Sequence, residues 1–324
     1  MRDSANQSNA RGPIGVFDSG VGGLTVLKAL RERLPGEDFI YLGDTARLPY
    51  GRKPAAMVRE FATQISSFLL DQGVKAIVMA CNTASSCALE PEGDLVSRLS
   101  VPLWGVIEPG VRAAEYVVTG HVVTGHVVRG RASSLHGRVG VLGTKGTIAS
   151  RAYQSRLEAH GFEVWARACP MFVPLVEEGL ADSNEARLLV RHYLEDRPEL
   201  DALILGCTHY PVLKDVIAAE LGANVTIVDS ASVTAQVVAH DLELAGLLNP
   251  RASGGELLHY VTGDPASYQH TSSVIGGVEG ELRLLEITEL VGRSLSAPGS
   301  VSGSVSGSAS GSAPGTAGLE TVGV

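Results

Sequence analysis

The chain has 324 residues and a formal net charge of −9, a length that suits about two domains. Hydrophobic residues make up 44%, charged residues 19% and aromatics 5%, an ordinary globular mixture whose core must come largely from Ala, Val and Leu. The acidic balance argues against a nucleic-acid groove or an anionic membrane surface as partner, but not against a small acidic substrate, which local backbone amides can hold.

The first thirteen residues are polar and lack an apolar core, so residues 1–13 are expected to be disordered and not a signal peptide. No apolar run is long enough for a membrane span. Residues 14–17 read as a short buried strand. Asp18-Ser19-Gly20-Val21-Gly22-Gly23 makes a turn, and Leu24, Leu27, Leu30 and Leu34 give one face of a helix closed by Pro35-Gly36. A strand, glycine turn and helix can cradle anions on free amides, but GxGxxG and GK[ST] are both absent, which excludes a dinucleotide fingerprint and a P-loop. Residues 39–42 form the next strand, ending at Gly43-Asp44-Thr45. Residues 46–54 are a loop whose Pro54 starts a helix with Val58, Phe61, Ile65, Phe68 and Leu69 inside and Gly73 as its stop. Residues 76–80 lead as a strand to Cys81, and 103–107 form another.

The pentapeptide VVTGH then occurs twice, placing His121 and His126 five apart, a spacing that suits neither one helix face nor one strand face. Residues 117–135 therefore read as an insertion, not a metal site. The second half opens at Arg138. A helix is expected from Thr147 to His160, a strand over 162–165, and a capping box at Asp182-Ser183-Asn184-Glu185 opening the next helix. Residues 202–205 lead to Cys207. Helix, strand and helix follow over 211–221, 225–228 and 231–247, with later strands over 257–261 and 282–287. Residues 294–324 form a Gly/Ser-rich tail expected to be disordered.

Strands alternating with helices mean α/β architecture with parallel sheets. The separation of Cys81 and Cys207 (126 positions) nearly equals that of GVFDSGVGG at Gly15 and GVLGTKGT at Gly140 (125 positions), so the chain carries a duplicated unit. In such sheets ligands sit at the carboxyl ends of strands. Asp18, Ser19, Cys81, Asn82, Thr144, Cys207 and Thr208 all fall there.

The four cysteines, Cys81, Cys87, Cys169 and Cys207, show no zinc spacing, and reduced thiols in a cytoplasm suit a chain with so large a core. A lone strand-end cysteine is more often a small core residue, and Cys87 and Cys169 are read so. Cys81 and Cys207 stand apart as a matched pair. Each precedes a predicted helix, whose N-terminal field favours thiolate. Asp18 can raise the thiol beside it or accept its proton, and His209 can do the same service for Cys207. Two thiols on opposite faces of one carbon suit a two-base inversion, one removing a proton and the other donating one. Asn82, Thr83 and Thr208 suit a carboxylate. Only five lysines occur, none in a Schiff-base motif, and no cofactor or metal is expected. Against each reading stands a plainer one: Asp18 as a helix cap, His209 as a packing histidine, Thr144 and Thr147 as turn and cap residues, Ser19 and Thr83 as backbone caps, Tyr50 as a side chain packed over its loop.

FDSGVGGLTV, GDTARLPYG, ACNTAS, GVLGT, FVPLVEEG and GCTHYP, in this order over roughly residues 14–287, closely resemble glutamate racemases of the cofactor-independent aspartate/glutamate racemase superfamily. The resemblance implies two pseudo-symmetric, flavodoxin-like α/β domains with the site in the cleft between them. Residues 14–107 and 219–290 would form the first domain and 108–218 the second. It implies interconversion of L- and D-glutamate for peptidoglycan synthesis, by a cytoplasmic homodimer with no nucleic-acid or membrane partner. Cys81 and Cys207 then correspond to the catalytic bases, with Asp18 and His209 as their helpers. Ser19, Pro49, Tyr50, Gly51, Asn82, Thr83, Thr208 and Glu177 correspond to the substrate shell, to which the strand-end position adds Thr144 and Thr147. A racemase of another acidic amino acid, a one-cysteine decarboxylase or isomerase, and a non-catalytic regulator are the alternatives. The presence of two cysteines and the intactness of the pair argue against the last two.

Overall fold

The computed structural model describes residues 10–90, 94–120 and 137–295. Ten strands occur among them: β1 (Ile14–Asp18), β2 (Phe39–Gly43), β3 (Ala76–Met79), β4 (Leu103–Gly105), β5 (Arg138–Gly143), β6 (Glu163–Ala168), β7 (Ala202–Gly206), β8 (Thr226–Asp229), β9 (Leu257–Val261) and β10 (Glu281–Leu284). The helices are α1 (Leu24–Arg33), α2 (Ala55–Asp71), α3 (Asn82–Ala88), α4 (Leu95–Arg98), α5 (Ile107–Thr119), α6 (Lys145–Ala149), α7 (Ala152–Ala159), α8 (Phe172–Glu177), α9 (Asn184–Leu194), α10 (Lys214–Leu221), α11 (Ser230–Leu244), α12 (Pro265–Val274) and α13 (Ile287–Leu290).

The strands form two parallel sheets, one in the order β10-β9-β2-β1-β3-β4 and one in the order β6-β5-β7-β8. The segment β2-β1-β3-β4 and the sheet β6-β5-β7-β8 have the same internal order, which is the duplication read from the cysteine and glycine offsets. The first sheet is enlarged by β9 and β10. Strands β1, β2, β3 and β7 are buried along their whole length because helices cover both sheet faces, so they need apolar residues without alternation. On one face of the first sheet, Leu24, Val26, Leu27 and Leu30 of α1 pack with Ala235, Val238 and Leu242 of α11. On the other, Val58, Ile65, Phe68 and Leu69 of α2 pack under Phe17, Ile77 and Met79.

Several boundaries differ from the sequence reading. Residues 10–13 are placed, not disordered: Lys75 Nζ donates to the Ala10 carbonyl at 2.6 Å, and the Lys75 amide donates to Pro13 O at 2.9 Å. Residues 1–9 lie outside the described residues. Residues 117–119, expected in the insertion, continue α5, which ends where Gly120 turns left-handed (φ 72°); 121–136 lie outside the described residues. The single helix expected over 147–160 is two. Thr144 caps α6, accepting from the Thr147 amide, and Arg151 at φ 59° breaks the path before α7. Ser183 caps α9 through the Ala186 amide, but position 186 is alanine, so the reciprocal half of a capping box is missing.

The expected return to the first domain at Ala219 comes later. β8 still pairs with β7, and the chain crosses back with α11, which packs on α1. Helix α12 was missed because only Tyr268 of its ten residues is buried, so it has no apolar stripe to read. The tail begins later than Ser294. Leu295 is buried in the first lobe's core, and Arg98 Nη2 donates to its carbonyl at 2.7 Å; residues 296–324 lie outside the described residues.

Candidate active site

The carboxyl ends of the two sheets face each other. Cys81 follows β3 and Cys207 follows β7, the matching third strands of the two halves, and both line one cavity of about 230 Å³. The first lobe contributes Ser19, Gly20, Leu48, Pro49, Tyr50, Gly51, Arg52, Asn82 and Thr83. The second contributes Thr144, Lys145, Pro170, Val173, Pro174, Glu177, Thr208 and His209. The lobes touch closely beside the cavity. A Cβ built on Gly22 would stand 2.3 Å from Thr208 Oγ1, and one on Gly51 would stand 2.9 Å from Thr144 Cβ. Only glycine admits the facing lobe at these two points.

Cys81 is the N-cap of α3, its Sγ accepting from the Ala84 amide at 3.4 Å, and it stands 3.7 Å from Ser19 Oγ. Burial pushes this thiol well above the usual range, and the neighbouring Asp18 carboxylate pushes it further; the Ala84 amide and Ser19 pull it down. The expected helix-end activation is thus present but outweighed. Asp18 does not line the cavity. It lies behind it, accepting from the Gly20 amide at 2.8 Å and facing the Thr208 hydroxyl at 3.5 Å. Burial raises its pKa above the ordinary carboxylate value, against the pull of His209 and the Gly20 and Gly23 amides. A carboxylate so placed takes up a proton more readily than an exposed one.

Cys207 is served differently. No α-helix starts at it: a 3-10 turn (Tyr210–Leu213) intervenes before α10. Its neighbour is His209, whose Nδ1 lies 4.0 Å from Sγ and whose Nε2 lies 3.0 Å from Glu177 Oε1. Burial works against the imidazolium, but Cys207 and Glu177 outweigh it and push His209 up to about 10. Both contacts favour the protonated imidazole beside the sulfur. Glu177, not the exposed Glu178, reaches the cleft.

Asn82 is held by the Tyr153 hydroxyl, which donates to its Oδ1 at 2.7 Å, while its Nδ2 is buried without a partner among the described residues. Thr83 Oγ1 lies 2.9 Å from Thr144 Oγ1 and 3.3 Å from Thr147 Oγ1, so three hydroxyls join the lobes. Thr147 is fully buried and does not line the cavity, which favours its reading as a turn residue. The Tyr50 hydroxyl is committed to Asp44, so Tyr50 meets the cavity as a wall and not as a free donor. Sequence reasoning missed Tyr153, whose partner is 71 positions away, and the apolar wall of Pro170, Val173 and Pro174, although Val173 and Pro174 stand in the quoted FVPLVEEG. Among the described residues no cluster of three or more His, Cys, Asp or Glu side chains is suited to a metal ion, and no helix is long and apolar enough to cross a membrane.

Twin parallel α/β lobes thus present one thiol each to a single cleft, with Asp18 behind Cys81 and His209 beside Cys207. Residues 14–238 match the Asp/Glu/Hydantoin racemase family, and the chain belongs to it. It is an isomerase of the racemase class. It is 54% identical to a glutamate racemase of Thermus thermophilus over 281 residues, 86% of this chain and 98% of the relative. It is 46% identical to a glutamate racemase of Geobacter metallireducens over 83% of this chain and 94% of the relative. The crystal structure of glutamate racemase from Thermus thermophilus in complex with β-chloro-D-alanine superposes with a TM-score of 0.75, at 53% identity, covering 86% of this chain and 99% of that one.

Proposed function

We infer that this racemase interconverts L- and D-glutamate by a two-base reaction at Cα, with Cys81 and Cys207 as the bases and no cofactor. The observation that carries the reading is that the two thiols, from opposite lobes, line one small cavity. One sulfur, as thiolate, takes the α-proton. The electron pair left behind delocalises into the α-carboxylate, and the opposite thiol delivers its proton to the other face of Cα. The sulfurs end with their protonation exchanged and must be reset by solvent or by turnover in reverse. Asp18 behind Cys81 and the His209 imidazolium beside Cys207 are the groups that hold a proton for each sulfur between turnovers. The unpartnered Asn82 amide is a preorganised donor for charge developing on the carboxylate.

The choice of glutamate over another acidic amino acid rests on the likeness to glutamate racemases. The product D-glutamate would feed peptidoglycan synthesis from the cytoplasm, and the working form would be a homodimer, which sedimentation checks. The decisive experiment is α-hydrogen exchange. Purified protein in D2O, without pyridoxal phosphate, should introduce deuterium at Cα of both glutamate enantiomers; exchange with neither would remove this reading.

A further inference from the structure

One buried carboxylate near the cleft has no part in the chemistry above. Asp44 follows β2 directly, its amide donating to Asp18 O at 3.0 Å, and its side chain is fully buried without lining the cavity. It gathers three partners. The Tyr50 hydroxyl donates to Oδ2, Arg47 Nε donates to the same oxygen at 2.7 Å, and the Thr262 hydroxyl donates to Oδ1 at 2.8 Å. Those partners come from the loop that forms the cavity wall and from the end of β9. The loop is fastened outward as well. Arg47 Nη1 donates to Gln64 of α2 and its guanidinium lies 4.1 Å from the centroid of Phe61, while the Tyr50 and Phe61 rings stand 5.4 Å apart. The Ala46 amide donates to Thr262 Oγ1 at 3.0 Å.

The loop needs such an anchor. Between β2 and α2 it has only two short 3-10 turns, Thr45–Arg47 and Tyr50–Arg52, neither with a side-chain cap. Yet it sets the Pro49, Tyr50 and Gly51 edge of the cavity, and Gly51 must lie within touching distance of Thr144 on the other lobe. A buried carboxylate is an expensive anchor, justified where it fixes a geometry that apolar packing leaves loose.

We propose that Asp44 is a positioning residue for the substrate cleft: by gripping Tyr50, Arg47 and Thr262 together it fixes the Pro49–Gly51 wall and thereby sets substrate affinity without touching substrate. The proposal rests on the racemase reading and is tested beside it. Asp44→Asn leaves Arg47 without its counter-ion, and Tyr50→Phe removes one donor while keeping the ring. Loss of one such bond should raise KM for both enantiomers, and the Kd for glutamate by calorimetry, about tenfold, with kcat within about threefold of wild type. Glu37→Gln, which breaks the buried Lys75 pair at the far ends of the strands, serves as control; it should lower Tm and leave KM unchanged. Should Asp44→Asn fail to fold, Tyr50→Phe carries the test. KM and Kd within about twofold of wild type in Tyr50→Phe would overturn the proposal, as would an equal rise in the Glu37→Gln control. Wild-type protein that binds glutamate but exchanges no α-hydrogen would sink the racemase reading and leave the affinity comparison readable.

Discussion

Glu177→Gln tests the less obvious half of the site. The glutamate carboxylate lies 3.0 Å from His209 Nε2, with the imidazole 7% and the carboxylate 31% exposed. Two unit charges at that separation in an effective dielectric near 20 attract by about 5 kcal/mol. Partial exposure screens this, and hydrogen bonds to charged groups are worth roughly 2 kcal/mol net. Two kilocalories correspond to about 1.5 pKa units or a factor of about 30. The carboxylate favours the charged imidazole, so removing it should bring His209 down from about 10. The alkaline limb of the pH–rate profile should move to lower pH by about 1.5 units, with kcat/KM falling up to about 30-fold above about pH 10 and changing little at neutral pH. Stability should follow with the same sign. A raised histidine contributes stability fully present below its unfolded pKa and lost as pH rises through about 10, so the variant should lose that increment at lower pH than wild type. The assay is racemisation followed by circular dichroism, with thermal melts over the same pH range. An unmoved alkaline limb together with unchanged kcat/KM would refute the assignment of Glu177 to His209.

Cys81→Ser and Cys207→Ser should each cost at least about a hundredfold in racemisation, and each should retain exchange in D2O from one enantiomer only, the opposite one in each variant; wild-type racemisation by either variant would contradict the two-base scheme. Asp18→Asn should raise Tm while lowering activity about a hundredfold, because burial makes the ionised carboxylate costly to the fold but its proton-accepting role is lost; a variant that is both less stable and fully active would contradict that sign. A chain ending at Leu295 should keep wild-type activity and Tm. One ending at Arg293 should lose roughly 2 kcal/mol of stability with the burial of Leu295, and equal melts for the two chains would show that Leu295 contributes nothing.

The parts of the site legible in the sequence were those that end a buried strand. Apolar runs ending in Cys81, Cys207, Asp18 and Thr144 announce both strand and loop, and the common offset of the two halves announces that they face alike. What stayed hidden has no local signature. Asp44 was visible only as the residue ending a strand, since its partners Tyr50 and Thr262 come from separate elements, one of them 218 positions away. Tyr153 looks like any helix-face aromatic until its hydroxyl meets Asn82. Two boundaries differ from expectation: the crossing back to the first lobe, which the family resemblance put at Ala219, lies after β8, and Leu295 is buried although composition put the start of the tail at Ser294. In both places a short segment is held by pairing or burial against a distant element, which periodicity does not register.

The two halves share a strand order but not an electrostatic design. Cys81 is raised by its burial and by the buried carboxylate behind it, whereas the imidazole beside Cys207 is drawn toward its charged form by Cys207 itself and by Glu177. Enantiomers of glutamate have equal free energy in water, so kcat/KM must be the same in both directions whatever the site contains. Unequal partners can therefore show only in kcat and KM taken separately, and in the pH dependence of each direction. On the proposed two-base reaction, the duplicated scaffold answers its near-mirror geometry by bringing one sulfur from each lobe to the same cavity. On the same proposal the unlike helpers answer a different need, since one sulfur has to take a proton while the other gives one.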